Sequence, residues 1–93
     1  MDINLNACQR RYFVSYSGVK LPLNLVNPLA EEERAHRNTC FVGFYDAEDK
    51  LMACQKLVYG EIELQHLYQY APDGRLVAAE ITDADGEVTK LDF

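Results

Sequence analysis

Ninety-three residues, 48% of them hydrophobic, form one domain (1–93) with a modest core that needs neither disulfides nor metal. Fifteen acidic residues against nine basic ones leave a net charge of −6, which argues against a nucleic-acid binder built on clustered cations. No apolar run approaches the ~20 residues that cross a bilayer. Met1-Asp2-Ile3-Asn4 opens without the basic and apolar regions of a signal peptide. Cys8, Cys40 and Cys54 are odd in number and lack zinc-type spacing. Together these predict a cytoplasmic protein with free thiols, no membrane or nucleic-acid partner, no metal and no cofactor.

In chain order, residues 11–17 and 19–25 predict a hairpin around Ser17-Gly18. In that register Tyr16 faces Val19, Val14 faces Leu21 and Tyr12 faces Leu23, so one side is apolar. Pro22 lacks a ladder N–H, which marks strand 19–25 as an edge or a bulged strand. Asn27-Pro28 then opens a short helix over about 28–37, with Asn27 as cap and Glu31 to Glu33 near its positive end. Leu29 and Ala35 give it a thin apolar stripe, so it reads as a surface connector. His36 sits at its far end, where a cation suits the dipole.

From Thr39 onward the pattern is a meander. A turn at Tyr59-Gly60 pairs Val58 with Glu61, Leu57 with Ile62, Gln55 with Leu64 and Ala53 with His66. The opposite face then sets Lys56 against Glu63 and Cys54 against Gln65. Strand 61–71 alternates Ile62, Leu64, His66, Tyr68 and Tyr70 inward with Glu61, Glu63, Gln65 and Gln69 outward. Three acidic tight turns punctuate this half: Asp46-Ala47-Glu48-Asp49, Pro72-Asp73-Gly74 and Asp83-Ala84-Asp85-Gly86. Strand 75–82 is apolar on both sides and is expected to be the most buried. The last strand, 87–92, runs into Phe93, which ties the C-terminus down. The fold class is α+β, mostly β: an N-terminal hairpin, one short helix, then a five-strand antiparallel meander, curved or partly closed.

Tyr68-x-Tyr70-x-x-Asp73-Gly74-Arg75-Leu76, followed by Thr82-Asp83-x-Asp85-Gly86-x-Val88-Thr89, resembles the YD-repeat hairpins of bacterial Rhs-type shells. That likeness implies meander geometry and no function. The opening, Arg11-Tyr12-Phe13-Val14-Ser15-Tyr16-Ser17-Gly18-Val19-Lys20-Leu21-Pro22-Leu23, resembles the start of a family of short uncharacterised bacterial proteins, which implies no catalytic residues.

Chemistry-bearing residues are few. His66 lies among inward apolar positions, where a core histidine bonded to a tyrosine hydroxyl or a carbonyl is the ordinary arrangement. An acid–base pair needs a carboxylate, and Glu80 is the one that could turn inward, so His66, Tyr68, Tyr70 and Glu80 outline a ligand pocket or an enzyme site. Tyr45, Lys56, Tyr59, Glu61 and Glu63 outline a protein-binding surface on the outer face. No phosphate-cradling glycine loop, nucleophile elbow or paired-carboxylate spacing is present in the sequence. The preferred function is a protein-interaction module acting through the outer sheet face or an edge strand. The alternative is a small-ligand binder or enzyme around His66. Strand Glu87 to Phe93, with only Lys90 to discourage pairing, also suggests a homodimer.

Overall fold

The computed structural model of the chain describes residues 3–18 and 20–93. Seven antiparallel strands form one open sheet: β1 (Gln9–Ser17), β2 (Asn24–Pro28), β3 (Thr39–Tyr45), β4 (Leu51–Val58), β5 (Glu61–Tyr70), β6 (Leu76–Thr82) and β7 (Val88–Asp92). Their order is β2-β1-β3-β4-β5-β6-β7. The five predicted meander strands are thus extended to seven by the hairpin, which joins at the β3 side. The sheet does not close into a barrel, and β2 and β7 are its edges.

The three acidic turns are the same turn. Asp46 N–H donates to Lys50 O (3.0 Å), Ala71 to Arg75 (2.8 Å) and Asp83 to Glu87 (3.0 Å). Within each, a left-handed residue closes back on the first: Asp49 (φ 63°), Gly74 (φ 91°) and Gly86 (φ 82°). This is the hairpin loop that needs one positive-φ position, which glycine supplies at least cost. Where the loop opens on aspartate, Oδ1 of Asp46 or Asp83 accepts two further backbone N–H groups and stiffens it.

The N-terminal half departs from its predicted register. Tyr16 pairs with Leu25, Ser15 with Val26 and Phe13 with Pro28. The expected Tyr16–Val19, Val14–Leu21 and Tyr12–Leu23 pairs are therefore not formed, and Val19 lies outside the described residues. The connection is longer than two residues because Leu23 turns inward, only 9% exposed, instead of continuing a strand. The helix shrinks to a single turn, α1 (Glu31–Arg34), with Ala30 rather than Asn27 at its cap. Asn27 instead takes φ 61° inside β2, and Pro28 ends that strand.

Both faces of the sheet carry a core cluster. On one, Leu23, Cys54, Tyr68 and Ala79 pack with Leu21, Leu25, Leu51, Tyr70 and Leu76, so the β1–β2 connection folds over the sheet as its cover. On the other, Val42, Phe44 and Ala53 are covered by Leu5, Cys8 and Tyr12 from the N-terminal segment and β1. A single sheet needs such covers because it has no second layer to pack against. As a consequence β3, not strand 75–82, is the most buried: Cys40 to Phe44 are all buried, whereas in β6 only Ala79 is. Gly43 lets this happen. A Cβ there would lie 2.7 Å from Tyr45 Cε1 and 2.8 Å from Leu25 Cδ1.

Candidate functional site

The inner face of β5 holds the buried polar centre of the molecule. Tyr68 is wholly inaccessible, and its hydroxyl meets His66 Nδ1 at 2.8 Å, Leu23 N at 3.2 Å and Cys54 Sγ at 3.6 Å. Leu23 N–H must donate, so the hydroxyl oxygen accepts there. Burial lowers the pKa of His66 and keeps the ring neutral. The consistent assignment has the Tyr68 hydroxyl donating to His66 Nδ1, with the imidazole's own proton on Nε2. Burial also pushes the Cys54 thiol up to about 11 and raises the Tyr68 phenol further. Tyr70, its hydroxyl donating to Leu51 O at 2.6 Å, is pushed up to about 12, again chiefly by burial. Neutral, mutually satisfied groups of this kind fix a core. At neutral pH Cys54 is a thiol rather than a thiolate nucleophile, and His66 Nδ1 is occupied by the Tyr68 hydroxyl.

The structure separates the proposed acid–base pair. His66 stands opposite Ile81, and Glu80 stands opposite Leu67 and Lys90, on the other face of the sheet. The cause is a bulge. Tyr70 pairs with Leu76, and that register carried on would set His66 against Glu80; an extra residue, Val77, shifts the ladder between Gln69 and Tyr70. A second bulge, with Glu63 as the extra residue, places Cys54 rather than Ala53 opposite His66 and Gln65 opposite Gln55 rather than Cys54. Cys54 and Leu23 are thus partners of the His66 group that residue alternation does not reveal.

Beside this centre lies a cleft of about 430 Å³, lined by Asp46, Lys50, Met52, Tyr68, Tyr70 and Pro72 among others. Its Lys50 and Asp46 side chains are engaged by the fold itself. Lys50 Nζ sits 4.3 Å from the centre of the Tyr70 ring and donates to Gly74 O at 3.3 Å, while Asp46 Oδ1 is held by its own turn. His66 is not part of its lining. Among the described residues, no three His, Cys, Asp or Glu side chains are grouped as metal ligands.

The outer-surface residues divide. Tyr59 (φ 51°, 76% exposed), Glu61 and Glu63 border a shallow depression with Ile62 and Ala84 at the β4–β5 turn. Lys56 joins them through an ion pair to Glu63 at 3.2 Å. Tyr45 is at the other end of β3, packed on Phe13 with the Arg11 guanidinium 4.5 Å above its ring. Burial raises the Tyr45 pKa, against the pull of Arg11.

The two sheet edges differ most. β2 ends on Asn27 in the left-handed region and on Pro28, and Leu25 is anchored in a core cluster. β7 has no proline and no register shift against β6, and every one of its residues is exposed. Its apolar side chains are in the open: Val88, Leu91 and, just beyond, Phe93 at 64%. Hydrogen bonds from Asp83 N–H to Glu87 O and from Phe93 N–H to Val77 O fix the phase of the β6–β7 ladder. Strict alternation then directs the amides and carbonyls of Thr89 and Leu91 toward β6, and those of Val88, Lys90 and Asp92 outward. No described strand pairs with that outer side.

An open seven-strand antiparallel sheet, a five-strand meander (β3 to β7) extended by the β1–β2 hairpin, with a buried polar centre and one regular exposed edge, is the class of protein these features define. Residues 6–93 match DUF6156, a family of unknown function, and the chain belongs to it. The match is to that family and gives no support to a kinship with YD-repeat shells. No curated protein and no solved structure matches the chain.

Proposed function

We propose that the protein is a cytoplasmic protein-interaction module that binds by adding a strand to β7. One observation carries this reading: β7 presents the outward backbone groups of Val88, Lys90 and Asp92, which no described strand pairs, beside exposed Leu91 and Phe93. Backbone pairing of this kind supplies affinity, and alternating side chains supply selectivity. The mutually bonded state of His66, Tyr68 and Cys54 supports it over catalysis, since neither His66 nor Cys54 lines the cleft beside them. Three unpaired thiols, two of them buried, fit a reducing compartment. In addition, no helix among the described residues is long and apolar enough to cross a membrane.

Lys90→Pro tests the reading. It removes an outward N–H while leaving the ladder to β6 intact, since proline is tolerated on the solvent side of an edge strand. Wild-type, Lys90→Pro and Tyr59→Ala chains are each used as bait in cells that naturally express the protein. The expected result is loss of bound protein with Lys90→Pro and retention with Tyr59→Ala. An unchanged set of partners with Lys90→Pro overturns the edge reading, and loss with Tyr59→Ala alone moves the surface to the β4–β5 turn.

A further inference from the structure

We infer that the strand added to β7 is β7 of a second copy of this chain, antiparallel and centred on Leu91. The inference rests on the edge reading above and supplies its occupant. A two-fold axis perpendicular to the sheet continues each face of one copy into the same face of the other. Outward backbone groups must also meet outward groups, so Val88, Lys90 and Asp92 can pair only among themselves.

Those conditions leave few registers, and the side chains choose between them. Centred on Lys90, the strands set two lysines directly against each other, and like charges in that position are destabilising. Centred on Thr89, they set Lys90 against Val88 and place Leu91 against Glu87 of the second copy. Centred on Leu91, Lys90 faces Asp92 of the second copy and Asp92 faces its Lys90, so both charges are matched. On the other face Leu91 meets its own symmetry mate and Thr89 meets Phe93. The apolar face then runs continuously from Ala79 and Ile81, the β6 neighbours of Leu91 and Thr89, across the junction. Each Lys90–Asp92 pair exchanges both of its main-chain hydrogen bonds. Self-complementarity of charge, apolar contact and backbone phase coincides in this register alone.

The test is a cysteine scan in a Cys8→Ser background, since Cys40 and Cys54 are buried. Leu91 and its mate form a non-hydrogen-bonded pair, with Cα atoms about 4.5 Å apart. That lies inside the span a disulfide can bridge. Under mild oxidation Leu91→Cys is expected to give a covalent dimer, and Thr89→Cys and Lys90→Cys are not. Sedimentation at high-micromolar concentration should show the wild type as a dimer, Asp92→Lys roughly tenfold weaker, and Lys90→Pro as a monomer. Cross-linking through Thr89→Cys or Lys90→Cys in place of Leu91→Cys overturns the register. A monomeric wild type with no cross-link from any of the three overturns self-association. In that case the edge reading is judged separately by whether Lys90→Pro still loses another protein partner.

Discussion

The two edges of this sheet face the same hazard, a row of unpaired backbone groups, and meet it differently. At β2 the chain breaks its own ladder with Asn27 and Pro28 and sinks Leu25 and the neighbouring Leu23 into the core. At β7 it does neither. Edges left regular, flat and partly apolar invite another strand. One edge is thus built into the core and the other is left regular and exposed, and the second is where we propose that an interaction forms.

The largest effect that could break this contrast is on association. Leu91→Lys should abolish self-association, whereas Val26→Lys on the blunted edge should leave it unchanged; gel filtration with light scattering separates the outcomes. Next come changes on the anchored side. Tyr68→Phe strands the Leu23 N–H and His66 Nδ1, so it should cost about 1–3 kcal/mol in a urea titration with little effect on association. Gly43→Ala pushes on Leu25 and Tyr45 side chains, and overpacking of that kind costs about 1–3 kcal/mol. The side chains can give way, which favours the lower end.

A smaller effect is expected from pH. Burial holds the folded pKa of His66 below its ordinary 6.5. The unfolded chain therefore binds the proton first, so this contribution to stability is complete above pH 6.5 and declines as pH falls toward the folded value. Thermal melts should show that acid loss for the wild type, and a shallower one for His66→Gln. On the alkaline side the signs reverse. Cys54 and Tyr70 stay protonated in the fold to about 11 and about 12, so stability declines once pH passes the ordinary thiol value of 9.0. Smallest of all is Lys56→Gln. Its ion pair with Glu63 is partly exposed, and its loss should cost no more than about 1 kcal/mol.

The meander was legible because its turns carry their own chemistry: Tyr59-Gly60 and the three acidic loops each fall where the sequence predicts a turn, and each holds a positive-φ residue. Pairing near a turn was legible too, as at Val58–Glu61 and Leu57–Ile62. Beyond the turns, three bulges intervene, with Met52, Glu63 and Val77 as the extra residues, and none is marked by glycine. One extra residue moves every later side chain of a strand to the other face. That is why Glu80 is taken from His66 and Cys54 is brought to it. The N-terminal hairpin failed for another reason. Its polar and apolar residues sort equally well in a tight two-residue register, and the long-range burial of Leu23 against Tyr68 decides the matter from outside the hairpin. The short helix yielded to tertiary context as well, since Asn27 and Pro28 serve as the end of an edge strand.

Amide hydrogen exchange along β7, followed as protein concentration is raised, tests the central claim most directly. The amides of Thr89 and Leu91, bonded to β6, should be protected at every concentration. Those of Lys90 and Asp92 should exchange freely in dilute protein and become protected as copies pair. Exchange at Lys90 and Asp92 that is fast and unchanged at all concentrations would contradict pairing of β7 with itself. Protection already complete in the dilute monomer would contradict the open edge.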